Sequence, residues 1–473
     1  LDLDGTISRT AGSSELTITG ASDIGGSITT SGTQTYSGAV VLSTDVTLTT
    51  TNSNVIFNLS VNAGTLGDSL TIAAGSGDVT FHNAVGGSTA LGDIDITTRA
   101  LTAGAIKAQG TLTITNSDTS NITGVISEQA VLALVKEGSG SLTLSGINTY
   151  TGSTTLTAGS IKVASSANLG ATPVVADADN IIFNGGTLIT TATFTLGTNK
   201  GITMTGAGTI NTSTGTLSYG GVITGSSNLT KSGSGTLTLS GDNGHTGDFN
   251  ITVGTVNVIG TLSNSTDVTV SSGAVYDVDQ TDTIQSLSGA GTINIANSKT
   301  LNFGDAFDQT IDGVIEGSGS IIKTGTGTVT LSGTNTYTGN TTITNGVLTV
   351  NSAGKLGNGN YSGTLTVAAS TIFNFSSSSD QTFSNWETGS GTINLSGGGT
   401  VTLIGDQNFT GTLNVSQMLV MYNGTSGTDT GLGKATTIDI KNGGTIKVQQ
   451  GTDTDASNNA FIGSQRSGGP DIY

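Results

Sequence analysis

A 29-residue pattern recurs three times in this chain without a gap. It reads VKEGSGSLTLSGINTYTGSTTLTAGSIKV from Val135 to Val163, TKSGSGTLTLSGDNGHTGDFNITVGTVNV from Thr230 to Val258, and IKTGTGTVTLSGTNTYTGNTTITNGVLTV from Ile322 to Val350. Each copy follows a G-V-I triplet, at Gly124–Ile126, Gly221–Ile223 and Gly313–Ile315. The lysines Lys136, Lys231 and Lys323 stand 95 and 92 residues apart, so the full unit spans several strands. A worn fourth copy runs from Gly399 to Val415, with Phe409 for the tyrosine and Gly411 kept, and an echo, SGTQTYSGAVVL, runs from Ser31 to Leu42. Short repeats cannot bury an apolar face alone, so each has to stack on its neighbours.

Apolar residues come in period-2 snippets such as SLTLS, DVTV and TINIA, each closed by Gly or Asn, which is the pattern of short strands between tight turns. The window SEQAVLALVKEG, Ser127 to Gly138, has a helical composition, but its alignment with GSSNLTKSG and GSGSIIKTG makes it a strand. The architecture that follows is all-β, a right-handed parallel β-helix. At roughly 20 to 25 residues per coil and about 4.8 Å between coils, the chain would make a rod of roughly 90 to 115 Å. A β-sandwich or a propeller is the competing all-β reading. A propeller, however, calls for blades with recurrent aromatics, and aromatic residues make up only 4% of this chain.

Within the repeat, alternation turns Leu142 and Leu144 inward, with Leu237 and Leu239, and Val329 and Leu331, as their counterparts. Gly138, Gly140, Gly146 and Gly152, with Gly241, Gly333 and Gly339, supply corners where φ is positive or coils approach closely. Asn148 and Asn335 suit left-handed turns or stacked amide ladders. Tyr36, Tyr150 and Tyr337 occupy matching turn positions, where packing across a corner comes before any recognition stripe. In the second copy Gly244 and His245 replace Thr149 and Tyr150, which weakens that rung.

With 32 acidic against 14 basic residues, a net charge of −18 and three arginines, the chain is a poor binder of nucleic acid or anionic membranes. It has no cysteine, and no run of 18 apolar residues that would span a bilayer. It opens at Leu1 without a methionine, as a mature or excised segment would.

The pattern G-V-I…K-x-G-x-G-T-L-T-L-S-G-x-N-T-Y-T-G closely resembles the autotransporter-associated β-strand repeat, or passenger-associated transport repeat. DIDITTRALTAGAIKAQGTLTITN, Asp93 to Asn116, resembles repeats of filamentous haemagglutinin-like adhesins. The resemblance covers about residues 30 to 415. It implies a passenger exported by a type V route to the surface of a Gram-negative bacterium. The family's repeats are scaffold and carry no catalytic residues. The organisation expected is N-terminal coils over 1–120, repeat-bearing coils over 121–448 and a polar tail or linker over 449–473.

Other chemistries are weighed on their residues. LDLDGTI matches the D-x-D-G-T of haloacid-dehalogenase-like phosphatases, with Asp2 as nucleophile and Asp4 as acid/base. No buried strand precedes it, so Asp2, Asp4 and Gly5 read as a strand end and turn. Asp277, Asp279 and Asp282 are a Ca²⁺ candidate set set against a solvated acidic turn, and no other cofactor is expected. His82 and His245 read as surface or turn residues. A polysaccharide lyase or hydrolase is the enzyme alternative, with Asp177/Asp179 or Asp305/Asp308 as paired acids, but no arginine lies between Arg99 and Arg466. Trp386 reads as an inward plug rather than a sugar platform.

The expectation is therefore a non-enzymatic surface passenger, an adhesin or extended stalk, binding surface glycans or proteins. The alternative is a structural protein that associates with itself head-to-tail or laterally into filaments. Ala164 to Asp179 and Tyr422 to Lys434 interrupt the strand rhythm and are the candidate contact surfaces.

Overall fold

The structure is a computed structural model that describes residues 2–384, 389–404, 408–423, 435–441 and 443–450. Trp386, the segment 424–434 and the tail beyond 450 lie outside the described residues. The chain divides into two compact units, Leu1–Asp248 and Phe249–Tyr473, so the division falls inside the second repeat copy.

Both units are parallel β-solenoids, with about 21 turns in all. In the first, eleven strands stack into one parallel sheet, from Ile7–Arg9 through Leu70–Ala73, Ile94–Thr98, Ile106–Asn116 and Ile126–Glu137 to Ile223–Gly225. Its register keeps like with like: Leu70 pairs with Ile94, Ile94 with Leu112 and Leu112 with Leu134. All four are buried. The residues between them, Thr71, Asp95 and Thr113, face outward. A one-residue slip would turn each of these leucines and isoleucines to water, at about 1.5–3 kcal/mol each, which fixes the register.

In the second unit the same logic stacks Thr328–Leu331, Val347–Val350, Ile372–Phe375, Thr392–Leu395, Thr412–Val415 and Thr437–Ile440 in parallel. A separate five-stranded sheet joins Asp282–Thr283, Thr300–Phe303, Ser320–Lys323, Thr341–Ile343 and Leu365–Val367.

Because coils repeat at the strand spacing, inward rings at one register position stack face to face. Tyr36 lies 4.7 Å from Phe57 at 10°, and Phe57 lies 4.9 Å from Phe81 at 5°. The helix-like window is a strand, Ile126–Glu137, with a register irregularity against its neighbour between Ala108 and Gly110. Leu132, Leu134 and Lys136 point inward from it. Residues 127–131, the outward part of this strand, are tied by the Glu128 carboxylate, which accepts from the Leu132 and Thr151 amides at 2.9 Å each. Burial of alternate side chains thus overrides helix propensity. Among the described residues helix is confined to two short 3-10 turns, Ser166–Leu169 and Gly357–Gly359, one after the first copy and one after the third.

Candidate functional site

The recurring pattern is a device for joining one coil to the next. At its head, G-V-I and S-G-x-N lie on neighbouring coils. A Cβ on Gly146 would overlap the Gly124 carbonyl, one on Gly241 the Gly221 carbonyl, and one on Gly333 the Gly313 carbonyl. Beside each glycine contact the isoleucine amide of G-V-I donates to an asparagine Oδ1 on the following coil. These bonds are Ile126 to Asn148 at 2.8 Å, Ile223 to Asn243 at 3.2 Å and Ile315 to Asn335 at 2.9 Å. The asparagine amides donate in turn, Asn148 to the Asn168 carbonyl at 2.5 Å and Asn335 to the Gly333 and Lys355 carbonyls at 3.0 and 3.1 Å. Asn148, Asn243 and Asn335 are buried, and none of them has positive φ. They are therefore not left-handed corners, and the amides of Asn148 and Asn335 go to backbone carbonyls rather than to another amide side chain; each of the three is a bracket satisfying buried backbone groups that cost about 1–3 kcal/mol if left unpaired.

The lysines are wholly buried. Lys136 sits in register between Ile114 and Leu156, and Lys323 between Phe303 and Ile343, positions that other coils fill with apolar side chains. The Lys136 ammonium donates to the Glu137 carbonyl, to Gly138 at 3.0 Å and to Ala158 at 3.5 Å. Lys231 donates to Ser232 and Gly233 at 3.0 and 2.8 Å, and Lys323 to Thr324, Gly325 and Asn345 at 2.5, 2.8 and 3.2 Å. An ammonium offers three donors and no acceptor, so it suits a K-x-G corner where carbonyls converge. Burial pushes each of these ammonium groups down to about 8. Gly138 has φ +68, and at Gly159, φ +62, a Cβ would meet the Gly140 carbonyl and the Lys136 Nζ, so both corners require glycine. Gly140, Gly152 and Gly339 lie against the carbonyls of Asp118, Leu132 and Gly319.

Leu142, Leu144, Leu237, Leu239, Val329 and Leu331 are all buried. So are Tyr36, Tyr150 and Tyr337, which leaves no recognition stripe. The Tyr150 hydroxyl bonds Thr154 at 2.8 Å, that of Tyr337 bonds Thr341 at 2.6 Å, and that of Tyr36 donates to Gln34 at 2.9 Å. Burial raises all three phenols well above their ordinary value. His82 is exposed, but His245 is buried, contrary to the surface reading, because it takes the inward tyrosine position. Burial lowers its pKa, opposed by Asp248. Where the other copies have Thr154 and Thr341, this copy has Phe249.

The Ca²⁺ candidates are not brought together. Asp277 lies on the outer face and accepts from Asn294 Nδ2 at 2.8 Å, and Asp279 shares that face. Asp282 turns inward and accepts from the Leu262 and Thr283 amides at 2.9 and 2.8 Å. Asp277 stands on the strand Val275–Val278 and Asp282 on Asp282–Thr283, which belong to different sheets, so the corner between them separates the third carboxylate from the other two. Among the described residues no group of three His, Cys, Asp or Glu is placed to hold a metal. Asp2 is exposed on a strand, Asp2–Leu3, paired with Asp23–Ile24, and Asp4 and Gly5 are exposed beyond it. The paired acids serve turns: Asp305 accepts from the Phe307 amide and Gln309 side chain at 2.8 and 2.6 Å, and Asp308 from the Thr328 amide at 2.8 Å. Asp177 accepts from the Asp179 amide at 3.3 Å.

Two features escaped sequence reasoning. Within the excursion Ala164 to Asp179, where Val174 is 97% exposed, the 3-10 turn ends on a cage formed by Lys200. Its buried ammonium donates to the Leu169, Gly170 and Ala171 carbonyls at 2.8, 3.0 and 2.8 Å and is pushed down to about 8 by burial. No repeat marks this lysine. The second feature is a row of asparagines, Asn374, Asn394 and Asn414, at a constant 20-residue spacing that was visible in IFNF, TINL and TLNV. Here the amides do stack: Asn394 Nδ2 donates to Asn374 Oδ1 at 2.8 Å, and Asn414 Nδ2 to Asn394 Oδ1 at 2.7 Å.

The passenger-associated-transport-repeat family matches residues 134–163, 229–258 and 321–350. The adhesin BmaC autotransporter of Brucella suis biovar 1 (strain 1330) is 34% identical over 279 residues. That alignment covers 54% of this chain and 8% of the relative. No solved structure matches. The chain thus carries three passenger-associated transport repeats, each spanning the lysine corner, the T-L-T-L strand and the asparagine bracket.

Proposed function

We propose that this chain, a β-solenoid built on passenger-associated transport repeats, is a stretch of an autotransporter passenger that acts as an adhesin or extended stalk on the surface of a Gram-negative bacterium. The observation that carries the reading is the threefold repeat match, set in the same chain as the 34% identity to an autotransporter adhesin. The physical form agrees with it. Coils joined to their neighbours by buried brackets make a scaffold whose outer faces are left for contact. The net charge of −18 steers the partner away from nucleic acid and anionic lipid. Both named similarities are to a scaffold repeat and a binding protein, so we assign the chain no catalysis and no cofactor. They do not favour the filament or polysaccharide-degrading alternatives.

The test is protease shaving of the intact bacteria that produce the chain followed by fractionation, with adhesion of beads carrying the purified chain to cells other than the producing bacterium as the second readout. Surface-accessible chain and adherent beads are expected. Recovery from the cytoplasm would refute the reading.

A further inference from the structure

Three successive coils of the second unit present the same outer residues at the same places. Ile372–Phe375, Thr392–Leu395 and Thr412–Val415 pair in register, so Asn374, Asn394 and Asn414 form one row. Two residues on, Ser376, Ser396 and Ser416 form the next. Thr349 extends the amide row at one end and Asp439 at the other, while Lys441 closes the serine row. The two rows, with Thr349 and Lys441 but without Asp439, line a shallow groove of about 450 Å³, a volume in the range of small-ligand sites.

The chemistry of the groove is narrow. Each asparagine spends one N–H on the preceding coil, Asn374 on Thr349 Oγ1 at 3.2 Å and the other two on amide oxygens. An amide has a second N–H and a second carbonyl lone pair, so every coil offers a donor and an acceptor beside a serine hydroxyl. Such a mixed set answers hydroxyl groups, which also donate and accept. A polyanion is disfavoured, because the one groove cation among the described residues, Lys441, lies 3.8 Å from Asp439 in a chain of net charge −18. A peptide added as a strand needs an open sheet edge, whereas the groove floor is the side-chain face of paired strands. The rows repeat at the strand spacing of about 4.8 Å, close to the length of one sugar unit in an extended chain.

The geometry points to a binding site for a neutral linear oligosaccharide, laid along the two rows at one sugar per coil. This deepens the adhesin reading and rests on it.

The experiment is calorimetric titration of the purified 473-residue chain with cellotetraose, chitotetraose and maltotetraose, and with a heparin tetrasaccharide as the charged control. Ser396→Arg fills the groove and leaves the amide ladder whole; Asn394→Ala breaks the ladder. At least one neutral tetrasaccharide is expected to bind, and each variant to weaken it by about tenfold or more, the loss of one net hydrogen bond. Ser396→Arg should melt as the parent does, so it decides the matter if Asn394→Ala folds poorly. The proposal is overturned if no neutral tetrasaccharide binds, if only heparin binds, or if Ser396→Arg binds as the parent does. Beads carrying the same proteins separate the two readings. Adhesion that survives Ser396→Arg together with unchanged tetrasaccharide affinity overturns the groove and leaves the adhesin reading standing. Tetrasaccharide binding without adhesion supports the groove and overturns the adhesin reading.

Discussion

Replacing Lys323 by methionine tests whether the repeat's lysine is held inside as a strained cation. The buried ammonium falls from 10.5 to about 8, chiefly through loss of water, with Asp305 and Asp308 opposing the shift. Each pKa unit is worth 1.36 kcal/mol, so charged Lys323 costs the folded state about 3 kcal/mol. A lowered folded pKa means that the unfolded chain binds more protons between pH 8 and 10.5, so stability rises with pH across that window and is level below it. At pH 7 the substitution has two opposed effects: it removes this cost, and it strips donors from the Thr324, Gly325 and Asn345 carbonyls. The net change there is small and undiagnostic; the slope is diagnostic. Guanidinium unfolding of parent and Lys323→Met should be followed by circular dichroism from pH 7 to 10.5. Since solenoid stabilities combine as local terms, the difference isolates this coil. It should move by about 3 kcal/mol in favour of the parent as pH rises. A difference that stays flat with pH would refute the account of a cation held against desolvation.

The bracket makes a local prediction: Asn335→Leu should orphan the Ile315 amide and destabilise by about 1–3 kcal/mol, seen as faster hydrogen exchange in the peptide containing Ile315 while Ile126 keeps its protection. Glycines divide by their surroundings. Gly333→Ala should cost about 1–3 kcal/mol or more by wedging two coils apart, whereas Gly244→Ala, with open space around it, should be neutral or stabilising by about 0.4–1 kcal/mol in thermal unfolding. Tyr337→Phe should lower stability by about 1 kcal/mol, because its hydroxyl shares Thr341 with Tyr361, which lies 2.7 Å from the same oxygen; no change in melting would remove that network from the account.

The strands were legible because T-L-T-L writes a burial pattern in the alphabet of hydrophobicity, and Leu142 and Leu144 lie where alternation puts them. The G-V-I and S-G-x-N signatures were legible as recurrences but not as mechanism, since Ile126 and Asn148 meet only when a full coil intervenes. Charge misleads in the same way. Nothing local tells that Lys136 is inside, because its carbonyl partners are backbone atoms that every sequence possesses. Lys200 has no repeat to betray it, and it finds its carbonyls about 30 positions upstream. Asp282 and His245 were misread because their side chains suggested water, while register had assigned them to the interior. The amide row went unremarked because its members stand 20 residues apart, beyond any window set to strand or helix period.

The bracket between coils also sets the grammar by which such a chain is able to change. Ile315 and Asn335 are halves of one bond held 20 residues apart, and Ile126 and Asn148 make the same bond across 22, so residues are gained between the halves only where they bulge outward, and a change in the inward run breaks a sentence that runs across two lines. Gain or loss of a whole repeat unit, which spans several coils, leaves every bond a matching half. Length in this architecture is therefore counted in repeat units. A lineage is free to lengthen or shorten the ladder by unequal exchange between repeats, and the outer faces, which owe nothing to the bracket, are free to diverge as it does so.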